Sequence, residues 1–118
     1  MANILSIGID EKSMATRGVV LQRAGHTVSQ AKDLRQVVAA CSGIQFDVVI
    51  MGQSLPAKEK LRVYEVIRQS NCGAKILELH TSSEPEIKGT DADLRVNDGP
   101  QEALVEVVDR LTARRKSA

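Results

Sequence analysis

Phe46-Asp47-Val48-Val49-Ile50-Met51-Gly52, followed at once by Gln53-Ser54-Leu55-Pro56, is the stretch from which the fold is read. Val48 to Met51 are apolar at every position, the pattern of a central parallel strand covered on both faces by helices. Gly52 closes the run and Leu55-Pro56 turns the chain away from it.

Outward from this strand, short apolar runs alternate with amphipathic stretches, the signature of βα repeats around a parallel sheet. Five strands are predicted: Asn3 to Gly8, His26 to Gln30, Asp47 to Gly52, Lys75 to His80 and Asp93 to Asn97. Between them, Lys12 to Ala24 reads as a helix ended by Gly25. Leu34, Val37, Val38 and Cys41 recur at i, i+3, i+4 and i+7, which predicts a second helix with that stripe on the sheet. A third helix runs from about Lys58 to Ser70, with Leu61, Tyr64 and Ile67 at helical spacing and Asn71-Cys72-Gly73 as its exit. The last helix has Pro100, Gln101 and Glu102 at its start, a stripe of Ala103, Leu104, Val107, Val108 and Leu111, and Arg110, Arg114, Arg115 and Lys116 at its negative end.

Thr81 to Ala92 breaks the rhythm. Its only sizeable apolar residue is Ile87, among Ser82-Ser83-Glu84-Pro85 and Lys88-Gly89-Thr90-Asp91, so no helical face assembles there and at most one turn of helix is expected. Five strands and their helices in a chain of this length favour a doubly wound, flavodoxin-like parallel sheet of strand order 2-1-3-4-5, with the fourth helix shortened or missing.

The 118 residues, 42% hydrophobic and 26% charged, are expected to form a single domain with one core. A formal net charge of +1 supplies no field for nucleic acid or an anionic membrane. With Phe46 and Tyr64 as its only aromatic residues, the chain also lacks a base-stacking surface. No run approaches the roughly 18 apolar residues of a membrane span. The first residues carry no basic leader before Asp10 and Glu11, and Cys41 and Cys72 suit reduced thiols, so a cytoplasmic protein is expected.

Taken in order, these stretches resemble the bacterial response-regulator receiver domain, of the CheY-like kind. Asn3-Ile4-Leu5-Ser6-Ile7 resembles its first strand, Ala24-Gly25-His26-Thr27-Val28 the entry to its second, and Phe46-Asp47-Val48-Val49-Ile50 its third. Leu55-Pro56 resembles the turn after the phosphorylation site, and Ile67-Arg68 the end of the third helix.

The resemblance implies a phosphoacceptor Asp at the position held here by Gly52. It implies a pair of acidic residues after the first strand, which hold Mg²⁺ beside the acceptor, where this chain has Gly8 and Ile9. Asp10 and Glu11 come one step later, in a loop where their side chains are expected to face solvent. The family's hydroxyl residue at the end of the fourth strand falls on His80, with Thr81 adjacent. Its lysine after the fifth strand falls on Asn97, and its switch aromatic on Leu94.

The expectation is a degenerate receiver, a pseudo-receiver with no phosphoacceptor, no metal, no cofactor and no enzymatic activity. Its pocket of Gly8, Ile9, Asp10, Gly52, Gln53, His80, Thr81 and Asn97 is expected to be vestigial, closed by neutral polar side chains that hydrogen-bond one another. Such a domain acts through protein partners in two-component signalling. A homodimer is open to it, though not by the usual receiver face, which includes the fourth helix. The other reading is a small-molecule sensor built on Asp10, Gln53, His80 and Asn97, at the sheet edge where open α/β folds bind ligands. His26 is read as structural, since no second ligand is spaced to join it. The tail Arg114-Arg115-Lys116 is read as a solvated helix end.

Overall fold

A computed structural model describes residues 2–70, 73–96 and 102–112. In chain order the elements are β1 (Asn3–Ile7), α1 (Glu11–Arg23), β2 (Thr27–Ala31), α2 (Leu34–Gly43), β3 (Val48–Met51), α3 (Ala57–Gln69), β4 (Lys75–His80), β5 (Ala92–Arg95) and α4 (Glu102–Thr112). The strands form one parallel sheet of order β2-β1-β3-β4-β5. This is the doubly wound, flavodoxin-like arrangement expected from the sequence. Asn97, Cys72, Pro100, Gln101 and the basic tail lie outside the described residues.

Strand alternation divides the core in two. Leu5, Ile7, Val49, Met51 and Ile76 meet Val37 of α2 and Val63 and Ile67 of α3 on one face. Ile4, Val48, Ile50, Leu77 and Leu79 meet Leu21 of α1 and Leu104, Val107 and Val108 of α4 on the other. Caps set the helix ends. The Asp10 carboxylate accepts from the Lys12 N–H at the start of α1, and that of Asp33 accepts from the Gln36 N–H at the start of α2. Gly25, just past α1, adopts φ 96°, the left-handed turn that glycine makes without strain.

Two predicted helix stripes need correction. On α2, Val38 is 50% exposed, because that helix packs beside the edge strand β2 and α3, and only Val37 is fully covered. On α3, Leu61 is 48% exposed, and Lys60 is buried with Val63 and Ile67. The inward stripe therefore begins with a lysine, a residue that a hydrophobic pattern passes over.

No helix forms between β4 and β5. Residues 81–91 cross the α2 and α3 face as an irregular strap, and Ile87 inserts into that face's core. Two charged side chains hold the strap down. Lys60 and Glu78, both 0% exposed, are joined by a Lys60 Nζ to Glu78 Oε2 bond of 3.0 Å. Lys60 Nζ also donates to the Leu79 carbonyl at 2.8 Å and to Glu86 Oε1 at 2.7 Å. Glu78 in turn accepts the backbone N–H groups of Glu86 and Ile87 at 2.9 and 3.0 Å. Each buried charge thus has a charged partner and further hydrogen bonds, the condition under which burying it is tolerated.

Candidate functional site

The carboxyl ends of β1 and β3 are neighbours, with Ile7 paired to Met51. Gly8 and Gly52 come next on each strand and are both buried. α1 supplies what fills the space above them. Met14, Arg17, Gly18 and Leu21 form its inward stripe, so one turn of helix carries an arginine over the sheet edge.

Arg17 is 4% exposed. Its Nε donates to Ser6 Oγ at 2.9 Å, its Nη1 reaches Gln53 Oε1 at 3.4 Å, and its Nη2 lies 3.0 Å from Met14 Sδ. A Cβ built on Gly52 would stand 2.7 Å from the Ile7 carbonyl oxygen and 2.9 Å from Arg17 Nη2. A Cβ on Gly8 would meet Met14 Sδ at 3.0 Å, Arg17 Nη2 at 3.2 Å and Ser54 Oγ at 3.4 Å. Gly52 therefore serves close approach of backbone and guanidinium, one of the positions where only glycine fits. The pocket is closed by a cation, in place of the neutral polar side chains expected from the sequence.

Burial pushes the pKa of the Arg17 guanidinium down to about 10, with the charge of Asp10 acting in the opposite direction. It remains a cation at neutral pH. Asp10 itself is exposed and committed to the helix cap, accepting from Ser13 Oγ at 2.7 Å and from Lys12 N at 3.3 Å. The Ser13 hydrogen bond, ahead of the cap bond, holds the Asp10 carboxyl below its ordinary range. Ile9 is exposed, and the backbone N–H groups of Ile9 and Asp10 both donate to Ser54 Oγ, at 3.0 and 3.2 Å.

Gly8, Gly52 and Gln53 thus come together around Arg17. His80 belongs to a different cluster: its Nε2 lies 2.9 Å from Asp93 Oδ1 and its Nδ1 lies 2.9 Å from the Ser82 carbonyl. Thr81 is exposed at the start of the strap, and Asn97 is outside the described residues. Leu94 is half-buried against the α1 and α4 core. Asp47 sits at the far end of β3, where Oδ2 accepts from the Asn3 N–H at 2.8 Å. His26 ties the last helix to the sheet. Its Nδ1 accepts from Ala2 N at 3.2 Å, and its Nε2 lies 3.1 Å from Asp109 Oδ1.

A Mg²⁺ ion does not fit the residues present. A hard divalent cation needs converging carboxylate oxygens, whereas Gly8, Ile9 and Gly52 supply no carboxylate and the Arg17 cation lies over both glycines. Among the described residues no group of three or more His, Cys, Asp or Glu side chains has the arrangement of a metal site. No described helix is long and apolar enough to cross a membrane.

The fold is that of known receivers. Chemotaxis protein CheY4 of Vibrio cholerae is similar over 94% of this chain and 98% of its own, at 26% identity and a TM-score of 0.83. A two-component response regulator of Clostridium difficile is similar over 100% of both chains, at 17% identity and a TM-score of 0.83. Response regulator TrrA of Thermotoga maritima, solved in complex with Mg²⁺-BeF, is similar over 94% of this chain and 99% of its own, at 22% identity and a TM-score of 0.80. TrrA has also been solved in complex with the histidine kinase ThkA. No protein-family profile and no curated protein matches the sequence. In fold the chain is similar to the CheY-like receiver domains of two-component response regulators.

Arg17, Ser6 and Met14 escaped the sequence reading, as did the Lys60, Glu78 and Glu86 strap. The legible signal for Arg17 was its place three residues after Met14 and four before Leu21, a charge on the apolar stripe of α1. The signal for Lys60 was the same, three residues before Val63 and seven before Ile67.

Proposed function

We propose that this chain is a pseudo-receiver: a signalling domain that is not phosphorylated at the family site, has no enzymatic activity, and works by binding protein partners. The observation that carries the proposal is Arg17 Nη2, 2.9 Å from where a side chain on Gly52 would begin. An active receiver needs a carboxylate nucleophile and a divalent cation at this point, to neutralise the phosphoryl group during transfer. This chain holds a guanidinium there, and the backbone beneath it is packed too closely for a Cβ.

With its trigger gone, the scaffold retains a surface. The complex of TrrA with a histidine kinase supports a protein as the partner class. The strap over residues 81–91 replaces the helix that receivers commonly present to partners, so contact here runs over a different surface, and a homodimer by the usual face is not expected.

The test is a Mg²⁺ titration followed in ¹H-¹⁵N spectra, against NaCl at matched ionic strength. The amides of Gly8, Ile9 and Gly52 are expected to stay in place. A saturable shift confined to these residues would overturn the reading. Crosslinking in native extract is expected to give the same partners with and without Mg²⁺ and a phosphodonor.

A further inference from the structure

A guanidinium carries five N–H donors and a permanent charge at neutral pH. Arg17 makes three hydrogen bonds, to a hydroxyl, a thioether and an amide oxygen. The thioether is a weak acceptor and the amide contact, at 3.4 Å, is long. Two donors are left over, and no carboxylate within the described residues forms an ion pair with this cation. Lys60, the other buried cation, shows the contrast, with two carboxylates and a carbonyl around it. A buried charge without a counter-ion is costly, and an anion brought to it gains what the missing partner would have supplied.

A second donor lies beside the first. Ser54 Oγ accepts two backbone N–H groups, from Ile9 and Asp10. Its own hydroxyl proton has no acceptor among the described residues. Ser54 Oγ and Arg17 Nη2 flank the same point, 3.4 and 3.2 Å from where a Cβ on Gly8 would stand. Gln53 and Ser54 are both half-buried. The Gln53 amide is held to the guanidinium only by the long contact.

We propose that Arg17 and Ser54 form a receptor for a small oxyanion, a carboxylate or a phosphate, bound without covalent chemistry when the Gln53 amide swings aside. The guanidinium fork presents parallel N–H groups to two oxygens of such an anion, and the Ser54 hydroxyl donates to one of them. Asp10 opposes an anion at this mouth, but it is exposed and screened by salt. The proposal goes beyond the interaction reading and does not depend on it: a pseudo-receiver without an anion site still binds its partner, and an anion site needs no partner.

The test uses inorganic phosphate and acetate in separate arms, with chloride at matched ionic strength as the reference. In the wild-type protein each effective anion is expected to raise the melting temperature saturably and to move the Arg17 Nε–H resonance. Whichever arm binds more tightly identifies the source as tetrahedral or planar. Gln53→Ala is expected to tighten binding several-fold and Ser54→Ala to weaken it several-fold, while Arg17→Met abolishes the response. Silence in both arms overturns the proposal, as does an equal response in Arg17→Met. Should Arg17→Met fail to fold, the wild-type Nε–H resonance decides: a resonance that does not move with either anion overturns the proposal.

Discussion

Arg17 Nη2 lies 2.9 Å from the point at which a side chain on Gly52 would begin, so the two residues are reciprocal: the missing side chain just past β3 is the room that the α1 guanidinium occupies. The Ile7 carbonyl, 2.7 Å from the same point, closes the space from the backbone side.

Even the smallest side chain at position 52 is therefore costly. Gly52→Ala is expected to lower stability by about 1–3 kcal/mol, the usual range for overpacking, because relief requires movement of β1 as well as of Arg17. Urea denaturation measures it. A loss indistinguishable from zero would show that the strand ends part freely.

The buried guanidinium makes stability depend on alkaline pH with a definite sign. Its folded pKa, about 10, lies below the ordinary guanidinium value, so between the two the unfolded chain binds more protons than the folded one. Stability then rises with pH through that window, and the cost of burying the charge is fully present below it. Arg17→Met removes the titrating group. Relative to that variant, wild type is expected to gain on the order of 3 kcal/mol as pH climbs from about 10 past 12, at 1.36 kcal/mol per unit. Paired denaturation curves cancel the contributions common to both proteins, and a flat difference would contradict the geometry.

The strap over residues 81–91 depends on Lys60. Lys60→Met leaves Glu78 buried without its counter-charge and is expected to lower stability by about 3–5 kcal/mol. Limited proteolysis should then cut within 81–91 at concentrations of protease that leave wild type intact. Ile87→Ala, which empties the core position beneath the strap, is expected to lower stability by about 2 kcal/mol or more.

Much of the architecture was legible. Val48 to Met51 announced a central strand, the order of βα units followed, and β4 came out residue for residue. The polar run from Thr81 rightly forbade a helix. What escaped was the pairing of unlike signals across the fold. Gly8 and Gly52 read as lost carboxylates, because a glycine in a sequence records an absence and not what fills it. Arg17 and Lys60 lie on apolar stripes, where a pattern of hydrophobic residues counts charges as gaps. His80 was grouped with Gln53 through its place at a strand end, yet its ring turns to Asp93 and Ser82. Strand position alone does not reveal to which face a side chain is drawn.

The claim that a guanidinium has replaced phosphate chemistry is tested most directly by incubating the wild-type protein with Mg²⁺ and a small phosphodonor, then measuring intact mass before and after acid treatment. The expected result is a single species at the unmodified mass throughout. An acid-labile phosphoryl adduct, mapped to Asp10 or Asp47, would contradict it.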